Sequence, residues 1–128
     1  MGLHHDLPIY RAALDLTCLS SRLVANMPRN HRAVDGARLV GHSRTLIKHI
    51  RHANMAPDKV PHIDRLLDNV DDVDLELRIC VELRLISTDA YANAVKLTSS
   101  VGKQANGWKK GSHRGQSRGR QGSHDSAK

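Results

Sequence analysis

Apolar residues recur along this chain at steps of three and four, the spacing that gathers side chains on one face of an α-helix. In the first such stretch Ile9, Ala13, Leu16, Ser20, Leu23 and Met27 share a face. Pro8 opens it, where a missing N–H costs little, and Pro28 closes it by pushing the preceding residue out of the α region. A second stretch begins between Asn30 and Val34 and runs to about Met55. Leu39, Leu46, Ile50 and Ala53 form its stripe, with Val40 and Ile47 at the margin. Residues 54–57 break the pattern. Asp58 is the expected N-cap of a third helix, with Pro61 in its first turns. Ile63, Leu66, Leu67, Val70, Val73, Leu77, Cys80 and Val81 give that helix the cleanest period in the chain. Ser87 is the expected cap of a fourth, whose stripe is Tyr91, Val95, Thr98, Val101, Ala105 and Trp108, with small Ser99 and Gly102 favouring close approach.

Short connections place successive helices antiparallel. The expected fold is therefore all-α: an up-down-up-down four-helix bundle over residues 8–109, behind a short lead, 1–7. The chain has two Tyr, one Trp and no Phe, a composition that suits packed helices better than a β-sandwich. After Trp108 the periodicity stops, and Ala127 is the last apolar residue in a run of Gly, Ser, Gln, His, Arg and Lys. Such a segment buries too little surface to offset its ordering entropy, so a disordered basic tail is expected over 110–128. No apolar run approaches the ~18 residues of a membrane span, and the start of the chain has no signal-peptide core, so a cytoplasmic location is expected. Cys18 and Cys80 are expected as buried, reduced thiols.

The formal net charge is +7 and the pI about 9.9, a balance that favours polyanionic partners. The charge is uneven. Residues 26–57 carry six Lys/Arg against one Asp, and 109–128 carry six against one, whereas 58–85 carry four against eight acids. On the second helix Arg38, Arg44, Lys48 and Arg51 join His42, His49 and His52 in one continuous arc opposite the apolar stripe. Two uses of this arc are open: contact with a partner's phosphates, or ion pairs with Asp64, Asp68, Asp71 and Glu82 of the third helix. The tail suits phosphate-backbone contact without base readout. The candidate nucleic-acid contacts are Arg29, Arg32, Arg38, Arg44, Lys48, Arg51, Lys103, Lys109, Lys110, Arg114, Arg118 and Arg120. A second apolar row on the third helix, Leu75, Ile79 and Leu83, lies roughly opposite its main stripe and is the candidate oligomer interface.

Motifs for chemistry are missing from the sequence. There is no Cys-x-x-Cys, no His-Glu-x-x-His, no Gly-x-Ser-x-Gly and no phosphate-binding Gly-rich loop. His49 and His52 are spaced to share a helix face, but the cationic arc around them disfavours a metal ion. No enzyme activity, metal or cofactor is expected.

Taken in order, several short motifs resemble the accessory variability determinant proteins of diversity-generating retroelements. These are Leu7-Pro8-Ile9-Tyr10, Leu23-Val24 with Asn26 and Pro28-Arg29, then Arg51 with Ala53-Asn54, Asp58-Lys59 and Pro61-His62. Leu85-Ile86-Ser87, Tyr91, Val101-Gly102-Lys103-Gln104 and Gly107-Trp108 complete the series. That family belongs to a wider group of four-helix proteins that includes those encoded by intervening sequences of bacterial 23S ribosomal RNA genes. The resemblance covers about residues 7–110. It implies a homopentamer that binds a reverse transcriptase and template-repeat RNA, or the complementary DNA or hybrid made from it. It implies a non-enzymatic part in mutagenic complementary-DNA synthesis, with no membrane. The alternative within the wider group is a protein that binds structured RNA without a polymerase partner. The tail exceeds the family's usual end. Gly36 and Gly41 also stand in the second helix where the family has stronger helix formers, so tight backbone contact or a local adjustment is expected there.

Overall fold

A computed structural model describes residues 7–127, with side chains described over 7–112. Helix α1 is Pro8–Ala25. Helix α2 is composite: one α-turn, Arg29–His31, a π-helical segment, Arg32–Gly36, then regular α-helix, Ala37–Met55. Helix α3 is Val60–Glu82 and α4 is Thr88–Ala127. The expected lead, 1–7, lies outside the described residues except for Leu7. For the expected tail, 110–112 continue α4, and its side chains from 113 onward lie outside those described.

Contacts between helices step in opposite directions along each neighbouring pair. Val24 meets Gly36 and Ser20 meets Ser43; His42 meets Asn69 and His52 meets His62; Val70 meets Gly102 and Asp64 meets Lys109. The helices therefore run up-down-up-down. Each packs on its sequence neighbours, and α1 closes the square against α4. The upper end carries the α1–α2 and α3–α4 links. The lower end carries the α2–α3 link, the start of α1 and the last described side chains of α4.

The core follows the apolar stripes. Leu16, Leu39, Leu46, Ile50, Ile63, Leu66, Val73, Leu77 and Val101 are fully buried, and Met27 plugs the upper end behind Pro28. Ala94 is buried too, while Tyr91, Val95 and Trp108 stand half-buried at the margin of the α4 stripe. Several polar groups within the stripe find partners in one another or in the backbone. Ser43 Oγ donates to the Leu39 carbonyl (2.8 Å), so its single proton is committed and Ser20 Oγ donates to it across the helix interface (3.1 Å). Asn69 Nδ2 donates to the His42 carbonyl (2.9 Å), fixing α3 against α2. Cys80 is buried as expected. Cys18 is exposed instead, because its place on α1 is rotated one residue past the buried Leu16 and Thr17.

The links show why each helix stops. The carbonyls that α2 leaves unpaired at its end are taken by Lys59, whose ammonium reaches those of Ala53 (3.1 Å), Asn54 (2.9 Å) and Ala56 (3.0 Å). Lys59, not Asp58, is the residue at the N-cap of α3, with no side-chain cap bond there. At the other end of α3, Leu85 N–H returns to the Cys80 carbonyl (2.8 Å) and Arg84 N–H to that of Val81 (3.0 Å). This is a Schellman closure, and Arg84 supplies its left-handed residue at φ 59°. Ser87 Oγ accepts from Ala90 N–H (3.0 Å), the expected cap of α4.

The two glycines within α2 differ. Gly36 ends the π segment, where Ala37 N–H reaches back five residues to the Arg32 carbonyl. A Cβ on Gly36 would stand 2.6 Å from Val24 Cγ1, so this glycine lets α1 and α2 touch backbone to side chain. Gly41 faces open space.

Candidate nucleic-acid interface

The apolar stripe of α2 turns inward, so its cationic arc must turn outward. Arg38, Arg44, Lys48 and Arg51 are all exposed. The acids of α3 do not neutralise them. Asp64 pairs with Lys109 (2.6 Å), Glu82 pairs with Arg78 (2.9 Å), and Asp72 reaches only to His42 (4.0 Å). On α1, Arg11 pairs with Asp15 (2.8 Å). Among the described residues, then, Arg38, Arg44, Lys48 and Arg51 are not paired with the acids of α3, and His42 is the member of the arc that approaches one.

The other candidate contacts fall into groups. Arg29 and Arg32 are exposed at the upper end, away from the rest. Lys103 and Lys110 are exposed on the lower part of α4. Lys109 is half-buried and engaged by Asp64, so it clamps α4 to α3 and is less available to a ligand than its neighbours. The side chains of Arg114, Arg118 and Arg120 lie outside the described residues.

The histidines of the arc occupy a different place from its arginines. His42, His49 and His52 border the seam where α2 meets α3, and α3 brings His62 and Arg65 to the same seam. The His52 and His62 rings meet edge to face with centroids 6.2 Å apart. Arg65 Nη1 lies 3.3 Å from His62 Nδ1. His49 Nδ1 is shielded from solvent and has no hydrogen-bond partner. Burial lowers the His49 pKa from its ordinary value, and repulsion from Lys48, His52, Arg65 and His62 lowers it further. Sequence reading placed these imidazoles on α2 but missed His62 and Arg65, because the inter-helix register that unites them has no signature in either helix alone.

A second polar group sits at the upper end. Glu76 is 7% exposed, and its Oε2 is buried without a hydrogen-bond partner. Burial pushes the nearby Cys80 thiol up to about 11, and Asp35 and Glu76 add to the effect. Asp35 Oδ2 lies 2.8 Å from His31 Nδ1. Among the described residues no three His, Cys, Asp or Glu side chains are grouped to hold a metal ion.

The second apolar row of α3 is outside the bundle core. Leu75 is 58% exposed and Leu83 51%, with Ile79 half-buried between them. Beside this row Arg78 pairs with Glu82 (2.9 Å), and interaction with Tyr91 of α4 raises its pKa above the ordinary value. Among the described residues no helix is long and apolar enough to cross a membrane. No protein-family model matches the chain, and no curated protein matches it.

Proposed function

We propose that this chain is a non-catalytic nucleic-acid-binding protein that serves the reverse transcriptase of a diversity-generating retroelement, holding template-repeat RNA during mutagenic complementary-DNA synthesis. The observation that carries the binding part is the outer flank of α2, where Arg38, Arg44, Lys48 and Arg51 are exposed and none of them pairs with an acid of α3, while Asp64 and Glu82 pair with other cations. An unneutralised row of cations repels itself, and a phosphate backbone removes that repulsion with release of counterions. With few aromatic side chains to stack on bases, the interface suits shape and charge rather than base identity.

The polymerase part of the reading rests on the ordered motifs from Leu7-Pro8 to Gly107-Trp108 and on the four-helix fold they imply. Self-association, as a homopentamer by the same resemblance, is supported by the row of exposed Leu75 and Leu83 with half-buried Ile79 between them. A ring would set several α2 flanks side by side and multiply their grip.

The test is capture of a labelled RNA hairpin by the full chain. Replacing Arg44, Lys48 and Arg51 together with Glu weakens binding by roughly 100-fold or more, and wild-type affinity falls steeply with added salt. Undiminished capture by the assembled triple variant rejects the proposal. Co-purification with a retroelement reverse transcriptase, with and without nuclease, tests the polymerase part. RNA binding without polymerase retention favours instead the ribosomal-RNA-associated type of four-helix protein.

A further inference from the structure

The seam between α2 and α3 offers a chemistry that the arginine row does not. Over its lower half it brings together three imidazoles, His49, His52 and His62, with Arg65 from α3 and Lys48 from α2. Of the acids on α3 and its link, Asp64 holds Lys109, Asp72 lies higher up at His42, Asp58 has an interaction of its own, and Asp68 and Asp71 are exposed. From α1, the register that sets Ser20 on Ser43 brings Arg11 and Asp15 level with this end, and they pair with each other. Every charged group that bears on His49 is therefore positive or becomes positive on protonation.

A metal ion does not fit such a place. The rings do not converge on a common point, and Lys48 and Arg65 repel a cation. An anion does fit. The oxygens of a phosphate, spread around its phosphorus, can accept from the Arg65 fork and from imidazole N–H groups that share no common point. We infer that the lower α2–α3 seam is a phosphodiester cradle in which His49, His52, His62 and Arg65 grip one nucleic-acid phosphate and bind it with uptake of a proton. This inference rests on the nucleic-acid reading above and adds a regulated subsite to it.

The sign follows from linkage. In the free protein His49 is a weaker base than an ordinary histidine, so near neutral pH it is largely uncharged. A phosphate at the seam favours the imidazolium and reverses that depression. Binding therefore takes up a proton in the window below the ordinary histidine value of about 6.5, and affinity rises as pH falls.

The experiment is a titration of the full chain with a labelled RNA hairpin at constant salt. Affinity rises as pH falls from about 8 to about 5.5, by up to roughly ten-fold, with nearly all of the gain below about pH 6.5, as uptake of at most one proton requires. The H49Q/H52Q/H62Q variant loses that gain, and its affinity at the lower pH falls to the level wild type shows at the higher. Independently, proton NMR of wild-type imidazole C–H signals follows the His49 pKa, which rises when the hairpin is added. RNA binding with no pH slope, a slope that survives intact in a folded triple variant, or an unmoved His49 pKa overturns the cradle and leaves the arginine flank standing. No RNA binding at any pH overturns both.

Discussion

The upper end of the bundle buries a carboxylate and a thiol; the lower end gathers basic side chains along a helix seam. The upper end holds the π segment of α2, Gly36 pressed on Val24, the buried carboxylate of Glu76 and the Cys80 thiol beneath Asp35. The lower end holds regular helix, a lysine that caps α2, and a seam of imidazoles and guanidinium. The same four stripes of apolar residues support both. The difference lies in what the helices do with their polar positions, and it separates an end that buries acidic groups from one that presents basic ones.

This contrast breaks or sharpens under substitution. The largest stability change is expected at the tightest contact. Gly36→Val forces a side chain into the space held by Val24 and lowers unfolding free energy by about 3 kcal/mol in urea titration, near the upper range for overpacking. An effect below about 1 kcal/mol would mean that the π segment yields easily. Next comes Lys59→Met, which strips three carbonyls of their ammonium partner and costs about 2 kcal/mol. Glu76→Leu moves in the other direction. It removes a buried oxygen without a partner and raises stability by about 1 kcal/mol, so a loss instead would reveal that the carboxylate holds the upper end together. The smallest change is Gly41→Ala, a gain of about 0.5–1 kcal/mol, because an added methyl there meets only solvent.

The four helices and most of the core were legible because burial follows period. Leu39, Leu46, Ile50 and Ala53 are buried as their spacing requires. Asn69 and Glu76 were not legible, because each is polar and yet occupies a place on the inward stripe of α3. Among residues nominated for nucleic acid, Arg38, Arg44, Lys48 and Arg51 stand on one helix, and a wheel suffices to place them. Lys109 depends on where α4 meets α3, and only the fold gives it Asp64 as a partner. The glycine signal in α2 was half informative. One glycine marks a tight approach and a π segment, and the other marks neither.

The clamp of Lys109 on Asp64 has a consequence for the segment that follows. It anchors the start of the basic stretch 110–128 one residue along the chain from Arg65, at the end of the bundle where the imidazoles gather. A strand seated at the seam would then meet those cations on the same molecule, as tethered neighbours, instead of by fresh encounter from solution. Cutting the chain after Lys110 should therefore shorten the residence time of bound RNA far more than it slows capture.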